Sequence, residues 1–121
     1  MPYKIEQINK NIVSLELIND FTAEDAVNHA FDMDPILNRL GEAGVKAQFL
    51  VLTENLGKVS LEGRRAFSER NGDPRIGNTA VIGVNRFLKI VAQFITVASG
   101  KNNIRFFDDK EKALEWLENS D

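Results

Sequence analysis

The sequence predicts an α/β fold: a single-layer, mixed, mostly parallel five-stranded sheet flanked by helices, in the order β-β-α-β-α-β-α-β-α. Three observations predict it. Near the start of the chain, two runs alternate apolar and polar side chains across a short polar turn. Two later runs, VKAQFLVLT (45–53) and TAVIGV (79–84), are almost continuously apolar, as strands covered on both faces are. Helical periodicity separates each later strand from the next, which calls for parallel strands joined by right-handed crossovers.

YKIEQI (3–8) and IVSLELI (12–18) form the expected hairpin around Asn9-Lys10-Asn11. Thr22-Ala23-Glu24-Asp25 reads as a helix start, with a capping hydroxyl and acids at the positive helix end. Ala26, Val27, Ala30 and Phe31 supply its apolar stripe. Pro35 lacks an N–H and clashes with the preceding turn, so a break or kink is expected at Met33-Asp34. Asp34 then caps a second piece carrying Ile36, Leu37 and Leu40. After the 45–53 strand, a helix spans 60–70, NGDPRIG (71–77) is a loop, and 79–84 is a strand. RFLKIVAQFITVAS (86–99) is helical, IRFF (104–107) is a short strand, and DDKEKALEWLEN (108–119) is the last helix. Asp108 with Glu111 suits a capping box there, and Ala113, Leu114 and Leu117 make the inner stripe, with Trp116 at its margin.

A chain of 121 residues fits one domain, residues 1–121. Its net charge of −3 argues against nucleic-acid binding, which needs a basic footprint. The absence of cysteine excludes disulfides, thiolate metal sites and a cysteine nucleophile. No apolar run approaches the ~20 residues of a membrane span, and MPYKIEQINK has no signal core, so a cytoplasmic protein is expected.

Three stretches together resemble the SpoIIAA-like proteins, a branch of the STAS domains also compared with SEC14-type lipid-binding folds. DPILNRLGEAG (34–44) is similar to the family's proline-led helix, RIGNTAVIGVNRF (75–87) to its strand–turn–aromatic segment, and IRFFDDKEKALEWL (104–117) to its ending. The resemblance implies a STAS-like sheet and a regulatory or binding module rather than an enzyme. In the anti-sigma-factor antagonists of that superfamily, a phosphorylatable serine opens the helix after the central strand. The corresponding stretch here is Ser60-Leu61-Glu62-Gly63, with the glycine kept and Glu62 where the modified serine would stand. The phospho-switch therefore does not carry over residue for residue.

Two regions are candidate sites. The first is the edge at the C-terminal end of the central strand, where ligands of open α/β sheets gather: Lys58, Ser60, Glu62, Arg64 and Arg65. Capping alone also accounts for Ser60 and Glu62. The second is the helix at 86–99. Arg86, Lys89, Gln93 and Thr96 occupy an arc of about 80°, and apolar residues fill about 220° of the rest. A sheet contact needs less, so Phe87, Leu88, Ile90, Val91, Phe94, Ile95 and Val97 form a candidate dimer or pocket face.

His29, the sole histidine, lacks an evident partner in the sequence and reads as a surface residue. Asp108-Asp109 and Asp32/Asp34 are explained by capping. No catalytic, metal or cofactor set assembles. The expected function is a non-enzymatic, STAS-like regulatory or protein-interaction module, its partner a protein or a second copy of the chain. The alternative is a carrier or sensor of a lipid or other apolar small molecule, which needs an internal cavity of several hundred Å³.

Overall fold

The structure, a computed structural model, describes residues 3–83, 90, 93, 97, 100 and 103–119. The strands are β1 (Tyr3–Gln7), β2 (Ile12–Phe21), β3 (Ala47–Val59), β4 (Ile76–Ile82) and β5 (Ile104–Phe107). The described helices are α1 (Ala23–Glu42), α2 (Leu61–Asn71) and α3 (Lys110–Glu118). One sheet runs in the order β1-β2-β3-β4-β5; β1 pairs antiparallel with β2 and every other pair is parallel. This is the expected mixed α/β sheet.

Strand alternation divides the core between the two faces. Val13 of β2 and Phe49 of β3 meet Met33, Leu37 and Leu40 of α1. Their neighbours Ile12 and Leu50 turn the other way and meet Ala113 and Leu117 of α3. Gln48 ties α3 to the sheet by donating its side-chain amide to the Leu117 carbonyl at 2.7 Å.

The expected break in α1 is absent. The helix is continuous from Ala23 to Glu42 with Pro35 inside it. Its buried stripe is Ala26, His29, Met33, Leu37 and Leu40. At about 100° per residue, Phe31 and Pro35 both lie about 160° from Met33, on the solvent side. The carbonyl that loses its partner to the proline is therefore that of exposed Phe31. Met33 and Leu37, one on each side of the proline, are both 0% exposed. Their burial is worth about 3–6 kcal/mol together, against about 3 kcal/mol for a proline in a helix interior. Packing outweighs the local defect. Asp34 accordingly caps nothing; it pairs with Arg70 of α2 at 2.9 Å.

Two strands are longer than expected. β2 continues to Phe21 and β3 to Val59, paired through Ile18 with Asn55, Asn19 with Leu56 and Phe21 with Val59, with register shifts along the way. Asn19 adopts a left-handed φ of 61° there. The Lys58 amide donates to the Asp20 carboxylate at 2.7 Å. A Cβ at Gly57 would strike that carboxylate and lie 3.1 Å from the Asn19 carbonyl carbon. Gly57 is thus the residue that lets the two strands close. β4 starts at Ile76, inside the expected loop.

The last helix is capped by Asp109, whose carboxylate accepts from the Glu111 amide at 2.8 Å, rather than by Asp108 in a capping box. Of the expected helix 86–99, Phe87, Leu88, Val91, Phe94 and Ile95 lie outside the described residues, whereas Ile90, Gln93 and Val97 are helical and exposed.

Pro35→Ala should restore the missing helix hydrogen bond without moving the stripe. We expect a gain of about 1–3 kcal/mol in urea unfolding; a lower midpoint would mean that packing needs the proline.

Candidate functional site

α2 enters where β3 ends. The Ser60 amide donates to the Phe21 carbonyl at 3.0 Å, locking the turn onto β2. The Ser60 hydroxyl accepts from the Gly63 amide at 3.0 Å and caps the helix. Gly63 sits tightly in the turn, since a Cβ would lie 3.2 Å from the Phe21 carbonyl oxygen and from Val59 and push them by a few tenths of an ångström. Among the candidate edge residues, Lys58 is exposed at the end of β3, Glu62 and Arg65 are exposed on α2, and Arg64 is half-buried. The edge does not converge on one point. Glu62 and Arg65 turn toward α1 instead.

There they line a groove of about 570 Å³ between α1 and α2, with Val27, Ala30, Asp34 and Glu69 on its walls. Three arginine–aspartate contacts hold one end of it. Arg70 reaches Asp34 at 2.9 Å, and Arg75 reaches Asp34 at 3.5 Å and Asp73 at 2.5 Å. Arg75 also donates to Oδ1 of the Asn38 side chain at 2.6 Å. The guanidinium of Arg75 holds the Asp73 carboxyl below its usual range. Such partly exposed pairs contribute little stability each, so their effect is chiefly to set the spacing of the two helices.

Beside the groove, α1 exposes two apolar side chains that the sequence predicted as core. Val27 is 69% and Phe31 80% exposed. Once α1 runs unbroken, the phase set by Met33 and Leu37 turns both outward.

The same phase buries His29, which is 5% exposed and not the surface residue expected. Its ring stands edge-on to Tyr3, Phe21 and Phe67, with centroids 5.4, 6.0 and 6.1 Å away. Phe21 and Phe67 stack at 4.6 Å. The Tyr3 hydroxyl donates to Asp32 at 2.6 Å; burial and that carboxylate push its pKa up to about 12. Burial, aided by the Arg70 charge and opposed by Asp32, lowers His29 to about 4, so the imidazole is neutral at pH 7. Its Nε2 is buried without a hydrogen-bond partner. The spacing of Ala26, His29, Met33 and Leu37 was the available signal for this burial, masked by the expected break.

His29 also borders a second space, an apolar pocket of about 120 Å³ on the α1/α2 side of the sheet. Leu17, Val51, Phe67, Val81 and Phe106 line it, together with Thr53, Thr79, Arg70 and Asn71. Asn71 and Asn103 exchange side-chain amide hydrogen bonds at 3.0 and 3.1 Å, joining the end of α2 to the start of β5. Among the described residues, no three His, Asp or Glu side chains gather to hold a metal, and no helix is long and apolar enough to cross a membrane.

Residues 39–121 match the model of DUF7793, a domain of unknown function. The chain belongs to this family. The matched span starts near the end of α1 and leaves His29, Val27 and Phe31 outside it. No curated protein matches the chain. Among solved structures, it is similar to an uncharacterized DUF3478-family protein with a SpoIIAA-like fold from Shewanella loihica PV-4, at 21% identity and TM-score 0.63, covering 95% of this chain and 91% of that one. It is also similar to the anti-sigma factor antagonist SpoIIAA in its unphosphorylated form, at 13% identity and TM-score 0.68, over 97% and 98% of the two chains. The phosphorylated form of SpoIIAA, a Bacillus cell fate determinant, matches at 14% identity and TM-score 0.53, over 95% and 98%. The fold is SpoIIAA-like, as the sequence motifs implied.

Two outcomes follow. Ser60→Ala should cost about 1 kcal/mol by loss of the cap, and Ser60→Asp, which keeps a capping oxygen, should be near neutral in urea unfolding. A Ser60→Asp variant that matched Ser60→Ala in stability would count against the cap. For His29, the unfolded chain binds a proton below pH ~6.5, whereas the folded chain resists it until about pH 4. Stability from this site is therefore full above ~6.5 and lost as the pH falls toward 4, by about 3 kcal/mol. His29→Leu should remove that part of the acid sensitivity; identical pH profiles for variant and wild type would refute the burial-driven shift.

Proposed function

We propose that the chain is a non-enzymatic regulatory module that acts by protein–protein contact through the α1–α2 face. The observation that carries this reading is the exposed pair Val27 and Phe31, about one turn apart on α1, of which Val27 lines the α1–α2 groove. An apolar strip beside a mixed-charge groove is the usual composition of a contact patch, with an aromatic anchor and a polar rim. Phe31 supplies the anchor; Arg65, Glu62 and Glu69 supply the rim. The fold supports the same reading, because SpoIIAA, an anti-sigma factor antagonist, shares it. The partner expected here presents an apolar pocket to Phe31, flanked by groups that pair with Arg65 and Glu62.

Two features weigh against the other readings. The apolar pocket of about 120 Å³ is smaller than the ~300–1,000 Å³ of ordinary ligand sites, and the groove of about 570 Å³, which is large enough, has charged walls unsuited to an acyl chain. His29, 5% exposed among aromatic rings, has no carboxylate hydrogen-bonded to it, a poor setting for a general base. Self-association has one specific point in its favour: Ile90 and Val97 are helical and 60% and 83% exposed. A second copy of the chain would be their most economical cover.

The test is reconstitution. A partner co-purified with the wild-type chain should re-form a stoichiometric complex from the two purified proteins. Phe31→Glu should weaken that complex by about tenfold or more while leaving the melting temperature unchanged, because Phe31 is exposed. Val97→Glu, read by sedimentation, separates self-association from hetero-association. Loss of complex with Val97→Glu but not with Phe31→Glu would move the contact off the α1–α2 face.

A further inference from the structure

The charges that line the α1–α2 groove fall into two sets. Arg70 and Arg75 are paired with Asp34 and Asp73, at 2.9, 3.5 and 2.5 Å, and close one end of it. Glu62, Arg65 and Glu69 are exposed along the α2 wall and make no ion pair among the described residues. They stand at i, i+3 and i+7, which places an acid, a base and an acid within an arc of about 60° on one helix face. The facing wall of α1 is apolar, formed by Ala23, Ala26, Val27 and Ala30. Val27 is 69% exposed, and Phe31, about one turn on, is 80% exposed. One wall thus offers uncovered apolar surface and the other an unanswered charge pattern.

Backbone chemistry selects the form of the occupant. Helices α1 and α2 use their amide and carbonyl groups internally, so neither offers the ladder that an extended peptide needs. A helix brings its backbone already paired and presents side chains alone. Resting on the protein-contact reading, we propose that the groove takes an amphipathic helix of the partner protein, about three turns long. Its apolar seam lies on Val27 and Ala30, and its flank sets a basic, an acidic and a basic side chain against Glu62, Arg65 and Glu69. The length follows from the α1 wall, since Ala23 to Asp34 rise about 16 Å at ~1.5 Å per residue. The gap between two seam side chains a turn apart is the pocket that Phe31 requires. The same three charges repel a helix of the inverse pattern, so they select the partner as well as hold it.

Two synthetic peptides of about 18 residues, long enough to be helical alone, are the probes. Both carry a leucine seam at helical spacing on an alanine-rich frame. Beside the seam, one places Lys-Glu-Lys a turn apart and the other Glu-Lys-Glu. In ¹H–¹⁵N spectra of the full chain, the Lys-Glu-Lys peptide should give saturable shifts at Val27, Ala30, Arg65 and Glu69. At low salt it should bind about tenfold more tightly than its inverse, and at about 0.5 M salt the ratio should fall to about twofold or less. Reversing the wall, Glu62→Lys with Arg65→Glu and Glu69→Lys, should invert the preference and weaken the reconstituted complex, with the fold retained because all three side chains are exposed. If the triple variant does not fold, Arg65→Glu alone should prefer a Lys-Lys-Lys peptide to Lys-Glu-Lys, the reverse of the wild type. Equal affinity for the two peptides at low salt, shifts away from the groove, or failure of both to bind would overturn the proposal. The contact face is judged separately. A reconstituted complex weakened by Phe31→Glu but indifferent to the reversal would keep the face and remove the helix. A complex indifferent to both would remove face and helix together.

Discussion

The phase of α1 is the constraint on which the rest of the molecule depends. Met33 and Leu37 straddle Pro35 and are both withdrawn from solvent, which holds one helical register from Ala23 to Glu42. That register leaves no freedom to its neighbours. His29 must enter the core, a turn before Met33, and find a place among Tyr3, Phe21 and Phe67. Val27 and Phe31 must leave it. A single helix rotation thus produces both the buried imidazole and the exposed apolar pair, and neither could be altered without the other.

The joint between β2, β3 and α2 is the second fixed point. The paired extension of the two strands carries the chain to Phe21 and Val59, where the Phe21 carbonyl takes the Ser60 amide. Gly57 and Gly63 clear the way, the first for the Asp20 carboxylate and the second for the turn itself. From that start α2 runs alongside α1, and Arg70 closes on Asp34 near its far end. The groove between the helices is what remains when one end is held by backbone and the other by charge.

The sheet was legible in the sequence because its strands are of two unmistakable kinds, alternating for the antiparallel pair and continuously apolar for the buried parallel ones. Ala113 and Leu117 were legible for the same reason, as a clean stripe on a short helix. What failed was local chemistry overruled by tertiary contact. Pro35 is a valid break signal in an isolated helix, but it falls on the solvent face, where its missing hydrogen bond is least costly. The stripe read from Ala26, Val27, Ala30 and Phe31 put Val27 and Phe31 inside and His29 outside, and the expected break cut it off from Leu37, which fixes the true phase. The ENLGKV end of β3 was unreadable for a related reason. Its residues are polar and their pairing rests on the Asp20 carboxylate, a contact between segments nearly forty positions apart in the chain. The groove and the pocket lie between elements, and no single stretch encodes them.

The borders of the sheet have a consequence for how the chain can associate. Its outer strands, Tyr3–Gln7 and Ile104–Phe107, are short, and exposed Lys4, Glu6 and Arg105 stand on them. Charged, abbreviated margins of this kind resist the addition of a foreign strand. Among the described residues, the large exposed apolar side chains are Ile8 in a turn and Val27, Phe31, Leu61, Ile90 and Val97 on helices; none is on a strand. Among the described residues, adhesiveness is thereby confined to side-chain patches of limited extent, which saturate once covered, while the strand edges offer only short, charged templates. A molecule built this way can be sticky toward a partner without being prone to fibres.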